Sequence, residues 1–483
     1  MTKERLRELV TKSAALAEGV SLRPHQAESV RRFGETDDGL LLFHGMGTGK
    51  SLSSLASIED MGDSATVAVP AALRMNYDKE LKKFLPPTER KKYTVQSYDR
   101  AARKGLDKSP ILVADEVQRL RNQGRNYQGV MDAARSSERR LLLSGTPLVN
   151  APGDMASIIN LLHGKQLYTP QEFENRFVGT KTHYPVLGLF GRGRVEPAVR
   201  HKKELMQLLQ GRVHTVENLA TNDTRPEVLE NEIKVPMSPL QNEINRGLQN
   251  KLPFWMRWKF KKNLPVSKQQ SSQLNAFMSG MRQIGLSPYG FDRRLDAYGA
   301  FRQSPKLQET FKRIRENVAK GRKTMVYSNF IDAGLRPLAA AMDKDSIPYG
   351  MVHGSGLSDA DRRRAVEEYN TDKSKVTLLG PAAREGLSLR GTNDVFMLDP
   401  HWNLAQTDQA KARAVRLDSH AHLPPIDRKV NVNWVISEPR RNLLQKLMRS
   451  RPGVGADLYL RSRAQEKQKE IEAMLDVLRE AGQ

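Results

Sequence analysis

A lysine and a hydroxyl residue, Lys50 and Ser51, directly follow three glycines spaced two residues apart. An apolar run at residues 40–43 precedes the glycines, as expected for a strand that is buried on both faces. A strand, a glycine turn and a helix N-terminus in this order form a phosphate cradle, because backbone N–H groups turn inward and the helix end adds partial positive charge. Lys50 is then predicted to reach the outer phosphates of a nucleotide, and Ser51 to hold Mg²⁺.

The turn as a whole is the predicted nucleotide-binding loop. The strict phosphate-loop pattern has glycine where this chain has His44. An ordinary glycine-rich turn is the alternative, but it leaves the adjacent lysine and serine unexplained. The predicted loop residues are Gly45, Met46, Gly47, Thr48, Gly49, Lys50 and Ser51.

Two adjacent carboxylates, Asp115 and Glu116, stand at the end of a second apolar run, residues 111–114. Ligands of parallel sheets bind at the carboxyl ends of the strands. We therefore predict that Asp115 holds Mg²⁺, directly or through water, and that Glu116 polarises the attacking water. Acidic pairs are also common in loops, and the phosphate loop upstream makes the catalytic interpretation the better one.

Two further stretches have both a functional and an ordinary interpretation. Ser144, Gly145, Thr146 and Pro147 end another apolar run, either as a plain turn or as a hydroxyl-bearing loop that senses the γ-phosphate. Gln26 precedes the phosphate loop, where its amide could read an adenine edge, although a glutamine on a helix is usually just solvated.

Composition narrows the class of protein. The chain has 483 residues, of which 38% are hydrophobic, no cysteine and a net charge of +23. Disulfides are excluded and a structural zinc site is disfavoured. The charged N-terminus and the absence of a long apolar run predict a cytoplasmic protein without a membrane span, in the host cytoplasm or virion if it is viral. The charge favours nucleic acid as the partner, with a merely basic soluble protein as the alternative.

Two series of apolar segments, each alternating with helical patterns, predict two parallel α/β domains. Between residues 154 and 303 the strand patterns fade, and the chain is expected to be helical, basic and loop-like. A phosphate loop is found only in the first series, so the second half is expected to complete the site across a cleft. The predicted domains are residues 1–165, a helical insertion at 166–303, a second α/β domain at 304–440 and a helical extension at 441–483.

Three segments of the second half and insertion carry further candidates. Gln409, Arg413 and Arg416 are spaced to share one helical face, where guanidinium groups could stabilise charge on a transferring phosphoryl group. Residues 251–262 interleave aromatic and basic side chains, which could grip phosphates and stack on bases, or equally could pack as a helix face. The apolar stripe at residues 471–478 predicts a helix that packs on the second domain, with partner binding as the alternative. A protein partner could bind through the insertion at residues 166–303 or through this C-terminal helix.

Taken in order, these segments resemble the ATPases of helicase superfamily 2, of the chromatin-remodeller (Snf) type. The resemblance covers about residues 22–150 and 323–436. In the first half, LRPHQ resembles the adenine-reading motif, HGMGTGKS the Walker A motif and VPAALRMNYDKEL the nucleic-acid-contacting motif. DEVQ resembles the Walker B motif, and SGTPLVN resembles the coupling motif. In the second half, AAREGLSLRG resembles the motif centred on Gly386 that touches DNA and nucleotide, and residues 399–416 resemble the final motif.

The family resemblance implies two RecA-like, doubly wound parallel-sheet domains with a mainly helical insertion, which bind ATP with Mg²⁺ and move along double-stranded DNA. The final motif is most similar to viral nucleoside triphosphatase I and its relatives. Gln118 replaces the usual histidine of the Walker B motif, and Ala412 replaces a glycine before the first arginine. A strand-unwinding helicase on DNA or RNA, and a DNA-binding structural protein with a decayed ATPase, remain the alternatives.

Overall fold

The computed structural model describes residues 16–45, 48–183, 194–216, 226–261, 268–353, 358–381, 389–400, 404–415, 419–440 and 455–483. The chain divides into two compact units. The first comprises Met1–Ala220 together with Lys467–Gln483, and the second comprises Thr221–Glu466. Within the described ranges, no helix is long and apolar enough to cross a membrane.

The first unit is built on a six-stranded sheet in the order β3-β2-β4-β5-β1-β8, in which every neighbouring pair is parallel. A separate antiparallel hairpin joins β6 to β7. The strands are β1 Gly39–His44, β2 Ala65–Val69, β3 Tyr93–Ser97, β4 Ile111–Asp115, β5 Arg139–Ser144, β6 Val178–His183, β7 Arg194–Val199 and β8 Val213–Val216.

Helices cover both faces of this sheet. Alternate residues of a strand point to opposite faces. In β1, Leu41 and Phe43 enter one apolar cluster and Leu40 and Leu42 enter another, which explains the continuous apolar run in the sequence. The helices are α1 Pro24–Glu35, α2 Lys50–Met61, α3 Arg74–Phe84, α4 Tyr98–Lys104, α5 Arg125–Ser136, α6 Met155–His163, α7 Pro170–Phe177 and α8 Lys202–Leu209.

The second unit has its own parallel six-stranded sheet, in the order β11-β12-β10-β13-β14-β9. Its strands are β9 Glu227–Pro236, β10 Lys323–Tyr327, β11 Tyr349–Val352, β12 Val376–Leu379, β13 Thr392–Met397 and β14 Lys429–Glu438. Its helices are α9 Pro239–Asn250, α10 Phe254–Lys261, α11 Lys268–Leu286, α12 Ala297–Arg302, α13 Pro305–Ala319, α14 Arg336–Lys344, α15 Asp359–Asn370 and α16 Leu404–Lys411, and α17 Ala456–Gly482 begins in this unit and ends in the first.

The predicted fold class, two doubly wound parallel-sheet domains with a mainly helical stretch between them, is confirmed. The strands predicted for both series are present, with bounds that differ by up to three residues at their ends.

The expectation that strands fade between residues 154 and 303 is wrong, because β6, β7, β8 and β9 lie there. β8 and β9 are edge strands, each paired on one side in the described structure. β9 is mostly exposed and carries Glu227, Glu230 and Glu232, so it lacks the apolar run of a central strand. Its backbone pairing with β14, from Glu227 to Pro236, compensates for that lack.

The expectation that the C-terminal apolar stripe packs on the second domain is also wrong. Ile471, Met474 and Leu478 are buried in a cluster of the first unit, together with Val213 of β8. The end of the helix is held by Arg32 of α1, whose guanidinium donates to the carbonyl of Gly482 at 2.8 Å. The stripe therefore completes the core of the unit that carries the phosphate loop.

Candidate active site

Three neighbouring strands of the first sheet end at one edge, and each ends in a predicted functional segment. The strands β4, β5 and β1 are adjacent in the sheet and end at Asp115, Ser144 and His44. Their register pairs Phe43 with Ser144, and Asp115 with Leu143. We call residues 144–147 the SGT loop. Since all three strands run in the same direction, the phosphate loop, the acidic pair and the SGT loop converge at the carboxyl edge, where ligands of such sheets bind.

The start of the phosphate loop is hydrogen-bonded to the sheet, and a second hydrogen bond joins Thr48 back to Gly45. The N–H of Gly45 donates to the carbonyl of Val216 in β8 at 2.9 Å. The hydroxyl of Thr48 then reaches back to the carbonyl of Gly45 at 2.8 Å. Helix α2 begins at Lys50, as the pattern predicted, with Ser51 in its first turn. Met46 and Gly47, which were also predicted to bind nucleotide, lie outside the described residues.

Two features favour glycine at position 49. Its φ of +81° is left-handed, and a Cβ atom there would lie 2.5 Å from Nε2 of Gln26. Gln26 is only 4% exposed, accepts from the N–H of Arg23 at 2.8 Å and donates to the carbonyl of Thr48 at 3.3 Å. The side chain thus joins α1 to the phosphate loop. The amide still has one hydrogen and one oxygen lone pair that are not used in these two bonds, which an adenine edge could engage. That Gln26 reads adenine stays a prediction.

Lys50 is turned toward the loop that precedes it. Its Nζ donates to the carbonyls of His44 at 2.9 Å and Gly45 at 3.2 Å. Burial lowers the pKa of Lys50, and the nearby charges of Glu116 and Asp115 oppose that shift. The ammonium group therefore sits where a negatively charged ligand would stabilise it, as the phosphate prediction requires.

The acidic pair is electrostatically strained. Burial, and next the charge of Glu116, raise the pKa of Asp115 to about 7. One carboxylate oxygen of Asp115 accepts from the N–H of Glu116 at 2.9 Å. Glu116 adopts φ 55° and ψ 46°, a left-handed conformation that costs a non-glycine residue about 1 kcal/mol. Strain of both kinds in one dipeptide is typical of a functional site.

A chain of hydrogen bonds links the SGT loop to Glu116. The N–H of Thr146 donates to Oγ of Ser144 at 3.1 Å, and that hydroxyl donates to the amide oxygen of Gln118 at 2.7 Å. The amide nitrogen of Gln118 donates to the carboxylate of Glu116. Gln118, which replaces the usual histidine of the Walker B motif, thus both accepts and donates a hydrogen bond here. The SGT segment is more than a plain turn.

The residues at this edge fit a nucleoside triphosphate with a divalent cation. Two adjacent carboxylates, with the pKa of Asp115 raised, form an excess of negative charge that a divalent cation would neutralise. The hydroxyl of Ser51 at the start of α2 is an oxygen donor of the kind that Mg²⁺ binds. Helix α2 begins directly after Gly49, and the N–H groups of a helix N-terminus are donors of the kind that phosphate binds.

A histidine cluster behind the loop was missed by the sequence analysis. Nε2 of His44 lies 3.1 Å from Nδ1 of His214 in β8, which also lies 3.0 Å from the hydroxyl of Ser29. His25 contacts the carbonyl of Thr48 at 2.9 Å. His25 directly precedes Gln26 and could have been noticed, whereas His214 has no local signal, since only the sheet order brings β8 beside β1.

Asp154 was also missed, and it shapes the segment after the SGT loop. One of its carboxylate oxygens accepts from the N–H groups of Val149 at 3.0 Å and Asn150 at 2.6 Å. A buried carboxylate three to five residues beyond a turn is a common way to satisfy backbone donors. Its signal in the sequence was the Pro-Gly-Asp segment that follows the motif.

The second-unit candidates are placed only in part. Gln409 is exposed on α16, and Arg413 is half-buried in the turn after this helix. The N–H groups of Arg413 and Ala414 donate to the carbonyls three residues back, which tightens the helix end. The helical face that Gln409 and Arg413 would share with Arg416 stays a prediction. Arg416 and Gly386 lie outside the described residues.

Two protein families match separate stretches of the chain. The SNF2-related domain matches residues 97–289, which include Asp115, Glu116 and Ser144. The helicase conserved C-terminal domain matches residues 306–418. The two matches follow one another along the chain in the order that the motifs predicted.

Relatives of this chain include viral proteins. A protein of Acanthamoeba polyphaga mimivirus, named as an ATP-dependent RNA helicase, is 23% identical over 93% of this chain and 95% of its own length. An African swine fever virus protein, named as a homologue of the termination factor NPH-I, is 23% identical over 82% of this chain and 69% of its own length. A solved Sulfolobus solfataricus structure, titled as a SWI2/SNF2 ATPase core in complex with dsDNA, is 21% identical, with 95% of this chain and 97% of that chain covered and a TM-score of 0.36.

The motifs, the convergence of their residues at one sheet edge and the two family matches agree with one another. The resemblance on which the sequence analysis relied is confirmed, including its similarity to viral NPH-I proteins. This protein belongs to the Snf-type, helicase-like ATPases of helicase superfamily 2.

Proposed function

We propose that the protein is a DNA-stimulated ATPase that moves along double-stranded DNA. The observation that carries the proposal is the convergence of Lys50, Asp115, Glu116 and Ser144 at one edge of the first sheet. The net charge of +23 supports a polyanionic track. Membership of the Snf-type ATPases favours DNA as that track, and duplex DNA in particular.

The first unit would bind ATP through the phosphate loop. Lys50 would leave the carbonyls of His44 and Gly45 and donate to the outer phosphates. The negative charge of the phosphates would stabilise the ammonium group, which burial destabilises. Ser51 and Asp115 would hold Mg²⁺. The ion supplies charge neutralisation of the phosphates when bound.

Glu116 would act on the attacking water as a general base. One oxygen of its carboxylate accepts from the amide of Gln118, which would orient the other oxygen relative to the strand end. Because Gln118 is held by Ser144, a change in the SGT loop would reach the base through two hydrogen bonds. This arrangement would couple the presence of the γ-phosphate to the position of the base.

The second unit would contribute the groups that the family resemblance implies. Arg413 and Arg416 would stabilise charge on the transferred phosphoryl group, and Gln409 would assist them. Gly386 would lie against nucleotide and DNA. We include these four roles in the proposal, so that each can be tested by substitution.

Rates of ATP hydrolysis by the purified chain test the proposal, measured without nucleic acid and with duplex DNA, single-stranded DNA or RNA at one moderate salt concentration. We expect duplex DNA to stimulate hydrolysis most, and Glu116→Gln to abolish turnover while ATP still binds. A Glu116→Gln variant with intact DNA-stimulated hydrolysis would overturn the assignment. Glu89→Gln, in a surface turn of the same unit, is a matched control that should keep wild-type turnover.

A strand-unwinding helicase is the second candidate, favoured by the name of the mimivirus relative as an RNA helicase. It predicts stronger stimulation by RNA or single strands than by duplex DNA. A strand-displacement assay separates the two, since a translocase moves without leaving separated strands. A decayed, purely structural protein would show no turnover with any nucleic acid.

A further inference from the structure

Helix α10, Phe254–Lys261, packs on the second unit through one apolar face. Met256 and Phe260, four residues apart, are buried in a small apolar cluster with Leu274 of α11. The ring of Phe260 lies 5.1 Å from that of Tyr459 in α17. These contacts orient the helix, so that its opposite face is directed away from this apolar cluster.

The other face presents large aromatic rings to solvent. Phe254 is 75% exposed, Trp255 42% and Trp258 50%. Trp255 and Trp258 are three residues apart and so lie side by side on a helix. Single exposed apolar residues are common, but three large rings on one short helix mark a binding surface. We call Phe254, Trp255 and Trp258 the aromatic face.

Two cations lie beside rings of the aromatic face. The guanidinium of Arg257 lies 6.0 Å from the centre of the Phe254 ring, and the ammonium of Lys259 lies 6.0 Å from the Trp255 ring. No Asp or Glu occurs between Glu243 and Asp292 in the sequence. The same interval contains eight basic residues, namely Arg246, Lys251, Arg257, Lys259, Lys261, Lys262, Lys268 and Arg282. A partner must therefore combine negative charge with flat apolar surfaces.

We propose that the aromatic face binds single-stranded DNA by stacking on unpaired bases, while the basic residues near it in the sequence neutralise the phosphates. Unpaired nucleotides offer both features at once, whereas in a duplex the base faces are already stacked on one another. The choice of DNA rests on the function proposed above. The surface would hold a strand that is unpaired next to the duplex on which the motor acts.

Tryptophan fluorescence reports this contact directly, because stacking on a base quenches indole emission. The chain has four tryptophans, of which Trp434 is buried beside Arg461 and Trp402 lies outside the described residues. Titration with an oligothymidylate at moderate salt should quench the wild type, and a duplex of equal length should quench it much less. The quenching that is seen in the wild type but not in the Trp255→Ala/Trp258→Ala variant is the part of the quenching that comes from the aromatic face.

Affinity is measured on the same variants by fluorescence anisotropy of labelled DNA. Trp255→Ala/Trp258→Ala should weaken single-strand binding about 10-fold or more, as loss of base stacking does. Trp255→Tyr/Trp258→Tyr should restore most of it, since the rings return. Ile426→Ala removes another exposed apolar side chain of the second unit, 78% exposed, and should leave binding unchanged. Duplex-stimulated ATP hydrolysis should stay within about 2-fold in all of them.

Unchanged single-strand affinity in the double alanine variant would overturn the proposal. Equal quenching by duplex DNA, preferential quenching by RNA of the same length, or quenching by anionic lipid vesicles instead of DNA would overturn it as well. Failure of the motor has a different signature: hydrolysis would not respond to duplex DNA, while single-strand quenching and its loss in the alanine variant would persist.

Discussion

The hydroxyl of Ser144 donates to the amide oxygen of Gln118 at 2.7 Å, across the ends of two neighbouring strands. Gln118 is buried and its amide nitrogen is bonded to Glu116, so it is oriented from both sides. A side chain with this pair of bonds transmits a displacement of one partner to the other. The SGT loop and the proposed catalytic base are therefore parts of one network.

Gln118→Ala should lower kcat for ATP hydrolysis on the order of 10-fold, because Glu116 loses the group that orients it. KM for ATP should change little, since Gln118 is not one of the predicted nucleotide-binding residues. Steady-state kinetics of Gln118→Ala, Ser144→Ala and the double variant check the link. Coupled residues give non-additive losses. Additive losses would show that the two side chains act independently.

Asp115→Asn should abolish hydrolysis and yet stabilise the protein in the absence of nucleotide. The raised pKa means that native Asp115 keeps its proton up to about pH 7, while in the unfolded chain it has lost the proton above its ordinary pKa of 3.8. The native state therefore binds more protons between these values, and stability from this residue falls as pH rises through them. Asparagine has no proton to lose in this pH range, so the variant should not lose stability in this way.

The expected gain for Asp115→Asn at pH 8 is on the order of 2–4 kcal/mol in the free energy of unfolding. Urea unfolding at pH 5 and pH 8 measures it, and the gain should shrink at the lower pH. A variant that is less stable than the wild type at pH 8 would contradict the strained carboxylate pair.

Gly49→Ala should weaken ATP binding at least about 10-fold, because the new Cβ atom would meet the Gln26 amide at 2.5 Å and displace the phosphate loop. Gly62 at the other end of α2 is the matched control. Its φ is +75°, and a Cβ atom added there would meet no described neighbour within 4 Å. Gly62→Ala should therefore cost about 1 kcal/mol of stability through its backbone but leave ATP affinity unchanged. Equal affinities of both variants would contradict the close packing of Gln26 on the loop.

His214→Gln should make the protein less sensitive to acid. Burial lowers the pKa of His214 to about 4 and that of His44 to about 2. Below pH 6.5 the unfolded chain binds protons that the native state excludes, so stability falls as the pH drops from about 6.5 toward 4. Removing one imidazole should reduce this dependence by up to about 1.4 kcal/mol per pH unit. Urea unfolding between pH 5 and pH 8 gives the slopes, and parallel slopes would contradict the prediction.

The central part of the fold and the meeting of most candidate site residues at one sheet edge could be predicted from the sequence. Strands such as β1 and β4 are buried on both faces, so their apolar runs are continuous and the candidate residues stand where the runs end. The edge strand β9 could not be recognised, because a mostly exposed strand has no apolar signal. The His44–His214 contact was also beyond prediction, since it depends on which strand lies beside β1.

Residue patterns gave the helices but not always their partners. Ile471 and Leu478 were correctly placed on one helical stripe, but a stripe does not identify the core in which it is buried. In the stretch around α10, the alternating aromatic and basic residues left two interpretations open. In the structure Met256 and Phe260 pack in the core, while Trp255 and Trp258 are exposed. The stacking of these exposed rings on bases stays a prediction.

Displacement of a third strand from a DNA triplex tests the central claim most directly, because it detects movement along a duplex that is never opened. With ATP, the wild-type protein should release the third strand when a duplex flank is available for loading. Glu116→Gln, or a substrate without the flank, should release none. ATP hydrolysis stimulated by duplex DNA with no release of the third strand would contradict translocation.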